Sequence, residues 1–147
     1  MVYGQTYDFE SISVMVPGGP VGSCEEISYD HEKEVVVDTD SQFRPVGYTR
    51  GEFKCDVKIV MDRSNFENTI NKPALAYGGI YNVPPMPVVV KYGNIGQQPI
   101  VDEFEFKIQK VGGLGGKKGT DALKITIEGP ATEIPVINGV PAFTPGL

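Results

Sequence analysis

The sequence has no tryptophan, a single histidine and two cysteines among its 147 residues, and it has fewer bases than acids. The lone histidine, His31, lies between Asp30 and Glu32 in a charged run. Catalysis built on an activated nucleophile and a histidine base therefore has only a solvated surface group to use, and we expect no enzyme. Cys24 and Cys55 lack the close spacing of a zinc knuckle or a redox pair and are read as reduced thiols. With 13 Lys plus Arg against 19 Asp plus Glu the net charge is −6, the wrong sign for a tight, non-specific grip on phosphates. The longest apolar stretches, residues 35–37 and 84–90, are too short to cross a bilayer. Residues 1–10 show no basic region followed by an apolar run, so we expect neither a signal peptide nor a membrane partner, and a chain kept in a cytoplasm. What is present, 40% hydrophobic and 10% aromatic residues, suits one domain over residues 1–147.

Period-two alternation dominates. Phe53, Cys55, Val57, Ile59 and Met61 fall on one face and Lys54, Asp56 and Lys58 on the other, the mark of a half-buried antiparallel strand. Phe104, Phe106 and Ile108 stand opposite Glu103, Glu105, Lys107 and Gln109 in the same way, and Leu123, Ile125 and Ile127 stand opposite Lys124, Thr126 and Glu128. Ile12, Val14 and Val16 alternate too, and residues 35–37 and 88–92 are further β-branched runs. One short helix is expected, capped by Asp62, with Phe66 and Ile70 on one face and Lys72-Pro73 ending it. The fold class is therefore all-β with one short helix.

Residues 25–40 hold seven acids, Glu25, Glu26, Asp30, Glu32, Glu34, Asp38 and Asp40, against Lys33 alone. Residues 41–51, with Arg44, Pro45, Gly47 and Gly51, read as a long exposed excursion, so that a loop of about residues 30–51 separates two strands. The glycine-rich residues 112–119 form a mobile hairpin tip, and residues 130–147 an extended carboxy-terminal arm.

Signals of site chemistry fail on inspection. The glycine-rich loop has Val111 where a phosphate cradle needs glycine and Lys118 where it needs Ser or Thr, and a strand follows in place of a helix. Asp38 and Asp40 begin like a calcium loop, but Gln42 and Phe43 replace the next ligand and the required glycine. Glu103 and Glu105 share a strand face as paired carboxylates would, yet Lys107 beside them marks solvated charge. No catalytic residue, cofactor or metal site is assigned.

The segment Pro45-Val46-Gly47-Tyr48-Thr49-Arg50-Gly51-Glu52-Phe53 follows an acidic excursion and leads into an alternating strand and a short capped helix. In this order of elements the chain resembles the tail tube proteins of tailed bacteriophages, a family shared with the tubes of contractile injection systems and type VI secretion. The resemblance implies an antiparallel β-sandwich or barrel-like domain with a long inter-ring loop. Hexameric rings of it would stack into a hollow tube through which genomic DNA passes at ejection. It further implies a virion location, assembly in the bacterial host cytoplasm, and contact with sheath, baseplate and tail terminator proteins. A chain of this length suits contractile tails.

On that reading the polar strand faces would line the channel, with Lys54, Lys58, Lys107 and Lys124 balanced by Asp56, Glu103, Glu105 and Glu128. The acidic window would either face the channel and repel DNA or meet the basic groups of a neighbouring ring, and the resemblance favours the second, because in the family the long loop after the early strands reaches the adjacent ring. The second arrangement sets Glu32, Glu34, Asp38 and Asp40 against Arg44, Arg50, Lys117 and Lys118. Turns at Gly47 and Gly51 would set the angle of the stacking loop. The competing expectation is a carbohydrate-binding or adhesin-like sandwich module, with Tyr77, Tyr81 and Tyr92 as a stacking platform.

Overall fold

A computed structural model describes residues 12–17, 19–21, 24–93, 98–116, 118–119 and 123–145. The first sheet holds β1 (Ile12–Val16), β2 (Gly19–Pro20), β6 (Met86–Tyr92), β7 (Ile100–Phe106), β10 (Val136–Ile137) and β11 (Val140–Pro141). Its order is β11-β10-β7-β6-β1-β2, antiparallel throughout. The second holds β3 (Glu26–Ser28), β5 (Pro45–Asp62), β8 (Lys110–Gly112) and β9 (Lys124–Pro130) in the order β3-β5-β9-β8. In addition β4 (His31–Thr39) pairs with β5.

The alternating faces meet between the sheets. Val57, Ile59 and Met61 of β5 and Ile125 and Ile127 of β9 pack with Val88 and Val90 of β6 and Phe104 and Phe106 of β7 in one core. Burying such side chains stabilises by about 1.5–3 kcal/mol each, so the pattern seen in the sequence is also the main source of cohesion. Leu123 departs from it: placed with Ile125 and Ile127 by alternation, it lies just before β9 and is 50% exposed.

The sheets join at one corner. After β7 the chain bends through residues 107–109 and resumes as β8 in the other sheet, while Lys107 N–H donates to Pro130 O (3.2 Å) and Gln109 N–H to Glu128 O (2.9 Å). Gly129 makes this approach possible, because a Cβ there would overlap the Lys107 carbonyl oxygen.

The helix starts after Asp62, whose backbone is extended and whose side chain makes no cap hydrogen bond. Phe66 and Ile70 face the core as expected. The expected stop at Pro73 does not occur. The helix runs as α over Arg63–Phe66, widens to a π turn over Glu67–Asn71, and returns to α over Lys72–Ala74. The wider turn accommodates the pyrrolidine ring, which lacks an N–H and crowds the preceding turn. A 3-10 turn over Leu75–Tyr77 then ends at Gly78, φ 91°.

Two further expectations change in form. The long loop of residues 30–51 is mostly β4 and the first half of β5, a hairpin whose irregular part is only residues 40–44. The carboxy-terminal arm, expected to be extended, folds back as the β10–β11 hairpin and docks on its own subunit: β10 pairs with β7, and the Phe143 ring lies 5.1 Å from that of Phe53.

Candidate assembly surface

Val37 pairs with Tyr48, Val36 with Thr49 and Val35 with Arg50 along the projecting hairpin. Its turn is built by Asp40. Oδ1 accepts the N–H groups of Gln42 (2.8 Å) and Arg44 (3.0 Å), Oδ2 accepts Arg44 Nε (3.0 Å), and Phe43 N–H donates to Asp40 O (3.0 Å). The backbone N–H of Arg44, followed by that of Gln42, holds the Asp40 carboxyl below the usual carboxylate range. Asp40 and Arg44, expected to meet oppositely charged groups of another ring, thus pair with each other inside one turn.

Strand alternation sorts the rest of the acidic window. Glu32, Glu34 and Asp38 share one face with Val36, while Lys33, Val35 and Val37 share the other. A bulge preserves this sorting: Glu34 opposes both Gly51 and Glu52, so that Phe53 and Arg50 stay on the same side. Gly51 is needed there because a Cβ would come within 2.6 Å of Glu34 Cβ. Gly47 and Gly51, expected in turns, therefore both lie inside β5. The core-facing side of the second sheet continues past Phe53 as Val35, Val37, Tyr48 and Arg50, and among the described residues nothing covers it. Val35 is 59% exposed and Tyr48 66%.

The hairpin also leaves backbone edges open. Among the described residues β4 pairs only with β5, and residues 45–54 of β5 have no strand on their other side. The first sheet ends differently, with Pro20 in one edge strand and Pro141 in the other, and proline on an edge blocks further pairing.

The residues expected to line one channel wall are divided between the sheets. Lys54, Asp56, Lys58, Lys124 and Glu128 lie on the outer face of the second sheet, where Lys58 pairs with Glu26 (3.9 Å), Lys110 with Glu128 (4.0 Å), and Lys124 with Glu25. Lys54, Asp56, Lys58 and Glu128 line a groove of about 540 Å³ that also takes in Glu32. Glu103, Glu105 and Lys107 belong to the first sheet or its continuation and face the opposite way, because both sheets turn their apolar sides inward. Lys107 Nζ donates to the carbonyls of Tyr81 (2.6 Å) and Val83. Lys118 is exposed beside the β8–β9 connection, and Lys117 lies outside the described residues.

The tyrosine platform does not form. Tyr77 and Tyr81 are exposed near the start of β6, whereas Tyr92, at its far end, meets the Tyr29 hydroxyl at 2.6 Å. Sequence reasoning also missed the exposed Val35, Val37, Phe43 and Tyr48. The available signal was the placement of acids at 32, 34, 38 and 40, which marks a strand with one acidic face.

No protein-family model matches the chain, and no curated protein sequence matches it either. Solved structures do. A chain of the sheath–tube complex of an extracellular contractile injection system, PVC, in the extended state superposes with TM-score 0.64 at 9% identity, over 92% of this chain and 93% of that one. The tube terminating cap of the anti-feeding prophage gives 0.68 at 8% identity, over 89% and 90%. Hcp1 from Flavobacterium johnsoniae gives 0.52 at 17% identity, over 90% and 98%. With two antiparallel sheets, one helix and a match along nine-tenths of its length, the chain has the tail tube fold of contractile injection assemblies.

Proposed function

We propose that the chain is the repeating structural subunit of a tail tube, forming hexameric rings that stack into a hollow channel. The observation that carries this reading is the pair of open strand edges on the β4–β5 hairpin, beside a first sheet whose edges are blocked by proline. Unpaired edge amides and carbonyls recruit a further strand, and identical copies arranged in a ring supply one at every edge. The second sheet is then the one that joins its neighbours, and its outer face lines the channel.

That face carries Lys54, Lys58 and Lys124 against Asp56, Glu128, Glu32, Glu34 and Asp38. A net negative wall repels phosphates, so genomic DNA slides without adhering. The acidic window therefore serves the channel, and Arg50, on the opposite hairpin face, serves subunit contact. Glu103, Glu105 and Lys107 face outward, toward a sheath. The subunit sits in the tail of a virion, assembled in the host cytoplasm, with sheath, baseplate and terminator proteins as its other partners.

Negative-stain imaging of the purified chain at rising concentration tests the reading. Six-fold rings or hollow tubes are expected, and a monomer at every concentration overturns it. Replacing Asp56 and Glu128 together by lysine should leave rings intact and make assembled tubes retain DNA at low salt.

A further inference from the structure

Phe43, at the hairpin tip, is 87% exposed and has φ 61°. Positive φ is the left-handed region, which a bulky side chain enters at a cost and which glycine or asparagine occupies readily. The turn supplies no compensation for the ring, since its hydrogen bonds use only the Phe43 backbone and the groups of Asp40, Gln42 and Arg44. A phenyl group is thus held in water, at a strained position, in the turn that ends the hairpin.

Elsewhere the same chain carries a matching cavity. A groove of about 560 Å³ opens between the helix and the entry to β6, lined by Pro17, Ile70, Pro73, Tyr77, Pro84 and Met86 among others, with no ionised side chain in the lining. Tyr77, in the lining, is itself 52% exposed. The charges around the two features have opposite sign. Lys72 stands exposed beside Pro73, while Glu32, Glu34 and Asp38 on the hairpin form no ion pair with a described residue.

The geometry points to Phe43 of one copy seated in the proline-lined groove of a second copy. A knob and a hole at different places on identical molecules make a head-to-tail contact, which propagates into a closed ring or a helical stack. Aromatic anchors in apolar pockets carry most of the energy of such contacts. The strain at residue 43 is then kept for assembly, because a subunit folding alone is better served by asparagine there. This inference rests on the self-assembly reading above and adds its anchor residue and receptor.

The test compares wild type with Phe43→Asn by sedimentation and thermal melting of the unassembled subunit. Assembly should fall at least tenfold, while the melting midpoint stays the same or rises. A second variant carries p-benzoylphenylalanine at position 43, keeping an aromatic ring. Irradiation of mixed isotope-labelled and unlabelled assemblies should join position 43 to residues 69–77 or 83–87 of another copy.

Normal assembly of Phe43→Asn, or cross-links confined to other surfaces, overturns the inference while leaving the tube reading standing. Failure of wild type to assemble overturns both. Protection of Tyr77 in the lone subunit that disappears when residues 1–11 are deleted also overturns it, since the groove would then be filled from within its own chain.

Discussion

Tyr29, just beyond the β3 edge strand of the second sheet, donates its hydroxyl to the carboxylate of Asp102 in the first. Asp102 is the buried charged side chain of the described core. Its other oxygen accepts the N–H of Asn138 (3.1 Å), the turn residue between β10 and β11, with φ 48°. Tyr29 also lies 4.9 Å from Phe104, ring centroid to centroid. One carboxylate thus ties together both sheets and the carboxy-terminal hairpin, and a charge is tolerated there because its hydrogen bonds are supplied.

Removing the hydroxyl with Tyr29→Phe should therefore cost about 2 kcal/mol, since a hydrogen bond to a charged group is lost. For a domain of this size that lowers the melting midpoint by about 4–8 °C, read by calorimetry.

The same group fixes an alkaline limit. Burial first, then the hydrogen bonds to Asp102 and Tyr92, push the Tyr29 pKa well above the ordinary tyrosine value. A pKa raised by folding gives stability that is complete below the ordinary value and is lost as pH rises through the raised one. Phenolate absorbance should show one of the 7 tyrosines ionising only as the protein unfolds at high pH, and Tyr29→Phe should remove that late step.

Gly129→Ala should destabilise by about 1–3 kcal/mol or more, because the new methyl group meets the Lys107 carbonyl and the backbone must move. Urea unfolding would show a lower midpoint with an unchanged slope. Ala in place of Gly47, where a Cβ meets nothing within 4 Å, is the matched control and should change little.

Asp40→Ala should loosen the hairpin tip without unfolding the domain, seen as faster hydrogen exchange of the Gln42 and Arg44 amides. Acidification of wild type should do the same. The Asp40 carboxyl is held low by those amides, so its contribution is present above the ordinary carboxylate pKa and is lost as pH falls through the lowered value.

Burial raises the thiol pKa of Cys24 and of Cys55, with Asp56 and Asp30 adding to the second, and neither cysteine is in a disulfide. Both should react slowly with iodoacetamide near pH 8 and quickly in urea. Fast labelling of the folded chain would contradict the packing around them.

Much of the core was legible because burial along a strand follows a local rule. Val57, Ile59, Met61, Phe104, Phe106, Ile125 and Ile127 are buried as their alternation predicts. Leu123 broke the pattern because the strand it was assigned to begins one residue later. The helix was visible in Phe66 and Ile70, but its passage through Pro73 depended on a π turn that composition does not signal. The acidic hairpin was misread as a loop because Gly47, Gly51 and Pro45 weigh toward turns, while a bulge at Glu34 and Gly51 lets β5 absorb them.

Alternation in the sequence by itself determined which side of each strand faces the core, since successive Cβ atoms point to opposite sides whatever the partner strand. Which sheet a strand joins was decided only by tertiary structure. Glu105 and Glu128 look equivalent along the chain, yet they point in opposite directions, because residues 107–109 carry the chain across a corner that depends on Gly129, about twenty positions away. Hydrogen-bond partners set the sheet, and those partners are distant in sequence.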